Sequence, residues 1–271
     1  MSFEHRGLSL DYHPVVYPGS ALRFRGPRHG NGTGSLLCLG GSETFGRFIH
    51  APYPAQLGAH LACDVINLGV MNAGMDVIGQ DAAIRRALYA AKAVVLQITG
   101  AANLSNRFYS VHPRRNDRFV KASTMLRTLY RDVDFTEFHF TRHLLTHLKA
   151  RSADRFGVVE AELRAAWAAR MAAFLDHAPV PVHLLWLARQ PPDDGATGAR
   201  LGPDPLFITT DMLNHAATRA ASLTIAVQQS PDTRGMFITP REEGAARALP
   251  GPDAHAQAAG VLAPMLAPML T

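Results

Sequence analysis

At 271 residues, with 47% hydrophobic and 18% charged residues, the chain carries enough apolar material for a substantial core and too little charge to be mainly disordered. Its formal charge of +5 is scattered without a Lys/Arg block, which argues against nucleic acid as a partner and permits an anionic substrate without requiring one. No uncharged apolar run approaches the ~18 residues of a membrane span, residues 1–19 have no apolar signal core, and Cys38 and Cys63 sit in apolar runs without a disulfide-like spacing, so the sequence predicts a cytoplasmic protein with reduced thiols.

Five short apolar runs read as strands in chain order: SLLCL (35–39), DVINLGV (64–70), AVVLQI (93–98), VHLLWLA (182–188) and LTIAV (223–227). They are continuous rather than alternating, the pattern of strands covered on both faces of a parallel sheet. Helical spacing falls between them, at Ile84, Leu88 and Ala91, and again at Val159, Leu163, Trp167, Met171 and Phe174, with Glu160, Glu162, Arg164 and Arg170 off the stripe. The expected architecture is therefore a single α/β domain over 1–271, a three-layer α/β/α sandwich around a five-stranded parallel sheet of flavodoxin-like order. Its ligand site belongs at the carboxyl ends of the strands. Residues 104–178 are longer than one crossover needs and predict a helical insertion between strands three and four that caps this edge. Residues 189–206 are rich in Pro, Gly and Asp and read as a surface loop, and a short C-terminal amphipathic helix is expected to end or kink at Pro264.

The strand ends carry the residues capable of chemistry. Ser42 follows strand one and Gly40-Gly41, where a sharp turn would lift its hydroxyl and its N–H to the sheet edge; the plain alternative is a turn or N-cap serine. Asn72 and Gly74 follow strand two, and Gly100 and Asn103 follow strand three; glycine N–H groups and asparagine amides are suitable donors to an oxyanion. Asp253 and His255 lie just before the last helix, where an imidazole could serve as a base with a carboxylate on its other nitrogen, or could simply pack there.

In this order, LGGSETFG with Ser42, the 67–76 loop with Asn72 and Gly74, Asn103 and His255 resemble the four blocks of the SGNH, or GDSL-type, hydrolases over roughly 36–263. In detail, NRFYSVHPRRNDRF and DFTEFHFTRHLL look like an alphaproteobacterial family of this type. The resemblance implies a serine esterase or acyltransferase acting on a small-molecule, glycan or lipid ester or thioester. Ser42 would be the nucleophile and His255 the base, Asp253 would orient the ring, and Ser42, Gly74 and Asn103 would form the oxyanion hole, without metal or organic cofactor. The family's last block reads Asp-x-x-His, whereas Pro252 stands three before His255 and Asp253 two before it; Asp232 and Glu242 are the alternative carboxylates. The alternative function is a catalytically silent protein of the same fold that binds an anionic small molecule or glycan.

Other readings are weaker. GSETFGR lacks the Lys-Ser/Thr pair of a phosphate loop and places Glu43 where phosphate would sit. His139, His143 and His147 would align on one face if FTEFHFTRHLLTHL were a single helix, yet no carboxylate completes a metal set. Arg107, Arg114 and Arg115, with Asn72, are candidates for holding an anionic substrate group, against the plain reading of a solvated charged loop.

Overall fold

The computed structural model describes residues 10–30, 33–192, 201–230 and 232–270. In chain order the elements begin with β1 (Leu36–Gly40), α1 (Ser42–Phe45), α2 (Tyr53–Leu61), β2 (Val65–Gly69), α3 (Met75–Gln80), α4 (Ala82–Ala90) and β3 (Ala93–Gln97). A long excursion follows, through β4 (Tyr109–His112), β5 (Arg115–Ala122), α5 (Thr124–Leu129), α6 (Thr141–Arg151) and α7 (Ala153–His177). The chain closes with β6 (Val182–Ala188), α8 (Thr210–Ala217), β7 (Ser222–Val227), α9 (Glu243–Arg247) and α10 (Pro252–Leu270).

Strands β2-β1-β3-β6-β7 form one parallel sheet in that spatial order. The apolar runs are continuous because alternate residues feed two cores. Leu37, Leu39, Leu68 and Leu96 pack with α3, α4, α7 and α8, whereas Leu36, Cys38, Val65 and Val95 pack with α2 and α10. This is the expected three-layer sandwich with a five-stranded parallel sheet. The chain leaves β1 toward one side of the sheet and β3 toward the other, so the crevice at the carboxyl ends of β1 and β3 is the switch point where ligands of open α/β sheets bind.

The long helix forms as its spacing predicts. Ser152 caps its N-terminus, its hydroxyl accepting the Arg155 N–H at 3.3 Å. The stripe Phe156, Val159, Leu163, Trp167, Met171 and Leu175 is buried, Leu175 standing in for Phe174 at the last step. Burying each large member contributes about 1.5–3 kcal/mol. Trp167 Nε1–H also donates to the Thr99 carbonyl at 2.8 Å, which ties α7 to the loop leaving β3.

Three expectations change. The insertion is not wholly helical: β4 and β5 form an antiparallel hairpin, with Tyr109 and Val111 buried on one face of β4. Residues 135–148 are not one helix either; Phe135–Glu137 is a 3₁₀ turn, and α6 starts only at Thr141 because the His139 carbonyl is taken by the Phe119 N–H at 3.1 Å. His143 and His147 instead flank the Phe138 ring at 4.9 and 5.1 Å, and no cluster suited to a metal ion occurs among the described residues. Finally, α10 continues through Pro264 and Pro268, because Leu262 and Leu266 are fully buried against the sheet and their packing offsets the lost backbone hydrogen bonds. Within the 189–206 loop, residues 193–200 lie outside the described residues. Cys38 and Cys63 are unbridged, and no helix among the described residues is long and apolar enough to cross a membrane.

The loops after β2 and β3 meet backbone to backbone at Gly74, where an added Cβ would lie 1.7 Å from the Asn103 carbonyl oxygen. Gly74→Ala is therefore expected to cost about 2 kcal/mol or more, measured by urea unfolding; wild-type stability in that variant would contradict this close approach.

Candidate active site

The turn after β1 is shaped from below by Gln97. Its Oε1 accepts the Gly41 N–H at 2.7 Å, and a Cβ on Gly40 would stand 2.5 Å from the same oxygen and 2.2 Å from Thr44 Oγ1. Glycine is required there because the turn lies directly on these two side chains. Ser42 thus becomes the first residue of α1 at the switch point, 7% exposed.

Its hydroxyl is held at two points by one residue. Asn72 N–H donates to Ser42 Oγ at 3.0 Å, and Ser42 Oγ donates to Asn72 Oδ1 at 3.2 Å. Both groups of Asn72 can face the serine because its φ is +58°, a left-handed conformation that asparagine tolerates better than most side chains. Asn72 Nδ2 in turn donates to Asp117 Oδ2 at 3.2 Å. An ionised carboxylate only accepts, so Asp117 turns the amide nitrogen toward itself and the amide oxygen toward Ser42.

Asp117 and its neighbour Asn116 come from β5, in the insertion. Asn116 is fully buried; its Oδ1 accepts the Gly74 N–H at 3.0 Å and the Val77 N–H at 3.2 Å, capping α3. The Gly74 N–H, expected to face the serine, is therefore turned to Asn116, and the N–H of this loop that points at Ser42 is that of Asn72. Asn103 sits, as expected, in the loop that follows β3. Its Oδ1 accepts from Thr141 Oγ1 at 2.7 Å, which leaves its amide N–H groups for another acceptor. The loop carrying it is anchored by Asp76, which accepts the Ser105 N–H at 2.7 Å and pairs with Arg170 at 2.5 Å. Asn72 and Asn103 both line a cavity of about 510 Å³ whose far wall is α6.

The expected base is buried, with its Nδ1 already taken. His255 lies in the second core, 1% exposed, with its Nδ1 accepting the Tyr53 N–H at 3.2 Å at the start of α2. A neutral ring that accepts at Nδ1 carries its proton on Nε2, so it has no lone pair there for the Ser42 proton. Burial, with the Arg25 charge adding to it, pushes the imidazole down to about 3. Asp253 does not orient this ring: it is exposed on the first turn of α10, and two residues along a helix point to nearly opposite sides. Nor do the alternatives, since Asp232 accepts from Arg234 and Glu242 from Thr239. The acid at the turn is Glu43, next to Ser42, whose carboxyl is raised to about 7 by burial first, with the Asp204 carboxylate adding.

The arginines also find other work. Arg107 pairs with Glu162 at 2.5 Å, and Arg114 and Arg115 are exposed at the hairpin turn, Arg115 lying 3.9 Å from Asp117. None lines the cavity beside Ser42. Sequence reasoning missed Gln97, Asn116, Asp117 and Thr141. Gln97 leaves a signal as the lone polar residue closing an apolar strand; the adjacent Asn116 and Asp117 are hidden among the basic residues of their loop.

Fold and site together define a doubly wound α/β protein with a serine turn at its switch point. The chain belongs to the family described as "Domain of unknown function (DUF6473)", whose family model matches residues 1–270. The comparison with curated proteins returns no match. Among solved structures, LAE5, described as an alpha/beta hydrolase enzyme from the metagenome of Lake Arreo, Spain, is similar at 17% identity and a TM-score of 0.39, covering 88% of this chain and 96% of its own. The lipase Lip_vut3 from a goat rumen metagenome is similar at 12% identity and a TM-score of 0.38, covering 83% and 97% respectively.

Because the folded-state pKa of His255 lies below the ordinary 6.5, the unfolded chain takes up the proton first. The contribution of this residue to stability is fully present above about pH 6.5 and is lost as pH falls toward about 3. NMR of the ring should show it neutral, in the Nε2–H form, throughout pH 8 to 5; a ring titrating near 6.5 would contradict the buried placement.

Proposed function

We propose that the chain is a serine-dependent hydrolase or acyltransferase of the SGNH type, acting on an ester or thioester. The observation that carries this reading is the Ser42 hydroxyl held 3.0 Å from the Asn72 N–H at the switch point, with the Asn103 amide on the same cavity. Ser42 Oγ attacks the carbonyl carbon, and the oxyanion that develops is met by the N–H groups of Ser42 and Asn72 and by the Asn103 amide. The serine proton passes to the carboxylate at the turn, Glu43, which folds back over it so that a Cβ on Gly41 would stand 3.1 Å from its Oε2, and whose carboxyl is raised by burial toward the range of a general base at neutral pH. Collapse of the tetrahedral intermediate expels the alcohol or thiol, and water or a second alcohol takes the acyl group from Ser42.

A second reading is favoured by one contact. The Ser42 hydroxyl gives its proton to the Asn72 amide oxygen, which is no base, as in a protein that keeps the fold to bind rather than to react.

A fluorophosphonate probe separates the two. Labelling of folded protein that disappears in Ser42→Ala supports the enzyme; absence of labelling in folded wild type supports the binder. The labelling rate should rise with pH through about 7, and Glu43→Gln should lose that rise and fall by about 10²-fold or more. Asp117→Leu, which frees the Asn72 amide to turn, should slow labelling about tenfold or more, whereas Asp117→Asn, still able to accept from Asn72 Nδ2, should retain most of the rate. Equal rates in the two Asp117 variants would show that the amide orientation is irrelevant to Ser42.

A further inference from the structure

The cavity beside Ser42 has a chemistry that limits what can occupy it. It shares Asn72 and Asn103 with the oxyanion donors, so whatever it holds lies next to the scissile bond. At about 510 Å³ it is within the range of small-molecule sites and takes a group larger than an acetyl.

Three classes of occupant can be weighed against its walls. A long acyl chain would need an apolar lining, but only Ala102, Phe140 and Leu206 of the lining residues are apolar. An anionic group would need an uncommitted cation. The guanidinium in the wall, Arg142, is already held by the Asp204 carboxylate at 2.7 Å and the Gly202 carbonyl at 3.0 Å, and the Asp117 carboxylate faces the same space. Arg107, Arg114 and Arg115 are outside the lining. What the wall does offer is mainly acceptors beside one amide donor: the carboxylates of Asp117 and Asp204, the hydroxyl oxygens of Thr141 and Thr146, whose own protons go to Asn103 Oδ1 and the Arg142 carbonyl, and the Asn103 Nδ2, with the Phe140 ring among them, the Arg118 guanidinium stacked on it at 4.2 Å. Carboxylates and amides placed around an aromatic ring suit a ring bearing hydroxyl groups, which both donate and accept while the ring carbons present an apolar face.

The geometry points to a neutral polyhydroxylated group, a sugar or similar polyol, as the part of the substrate that this cavity holds. The substrate is then an O-acyl ester of a sugar hydroxyl; this rests on the reading of Ser42 as nucleophile. Ser42 takes the acyl group, the C–O bond to the sugar breaks, and the sugar leaves as the free alcohol with one proton returned to its oxygen. The acyl group is then passed from Ser42 to water or to a second hydroxyl.

Two measurements test the assignment separately from the chemistry. The first is binding of an acetylated methyl hexoside to Ser42→Ala protein, which cannot turn it over, followed by NMR. Amide shifts at Asn103, Asp117 and His143 that saturate with ligand are expected, and no saturable change there overturns the sugar site whatever Ser42 does. The second uses wild-type enzyme and acetate esters with alkoxide leaving groups: the acetyl hexoside, cyclohexylmethyl acetate as its apolar counterpart, acetylcholine as a cation and an acetylated uronate as an anion. The hexoside should exceed each of the others in kcat/KM by about tenfold or more, since a site built on hydrogen bonds rejects analogues lacking the hydroxyls. Equal or faster turnover of the apolar, cationic or anionic ester overturns the proposal while leaving the serine enzyme intact. Saturable sugar binding without fluorophosphonate labelling would keep the sugar site and overturn the ester chemistry.

Discussion

Everything at the sheet edge is arranged around the two-point contact between Ser42 and Asn72. The hydroxyl receives the Asn72 N–H at 3.0 Å and donates to the amide oxygen of the same residue at 3.2 Å. For both groups to face one serine the backbone of Asn72 must be left-handed, and for the amide to present oxygen rather than nitrogen a pure acceptor must stand behind it. The first condition is met by the bend after β2, the second by Asp117 on β5. Below the serine, Gln97 holds the Gly41 N–H and leaves no room for a side chain at Gly40, so the turn cannot relax away from Asn72.

This arrangement changes what the long excursion between β3 and β6 does. It does not merely lie over the site. Its hairpin delivers Asn116 and Asp117 side by side into the loop after β2, one capping α3 and the other orienting Asn72, and α6 delivers Thr141 to Asn103. The insertion therefore sets the orientation of two of the amides that surround the serine, and forms the wall of the cavity where the substrate is proposed to lie. Its own position is fixed in return by buried ties to the loops at the sheet edge, through Trp167 to Thr99 and Arg170 to Asp76.

The fate of His255 shows why a motif at the right place in the chain can still do a different job. α10 packs along the second core, and the ring is drawn into it beside Tyr53, where it accepts the first N–H of α2. Such a cap satisfies a donor that a buried helix start would otherwise leave open. The same burial lowers the ring's proton affinity and fixes its tautomer, so stability of the α2–α10 contact and basicity toward Ser42 are opposed in this one residue.

The sequence by itself determined the sheet, its two cores and the loops where chemistry could lie. Continuous apolar runs between helical stripes are a local consequence of burial on both faces; they gave the ends of β1, β2 and β3 to within about one residue and so placed Ser42, Asn72 and Asn103 in the loops that follow. Only the tertiary contacts settle which groups meet the serine. Whether Gly74 or Asn72 turns its N–H to the serine, whether the His255 Nδ1 is open or taken by the Tyr53 N–H, and whether Arg107 is open or paired with Glu162 depend on contacts between residues tens to hundreds of positions apart. Each such group is spent on the partner that packing brings within about 3 Å, and spacing along the chain carries no record of which partner that will be.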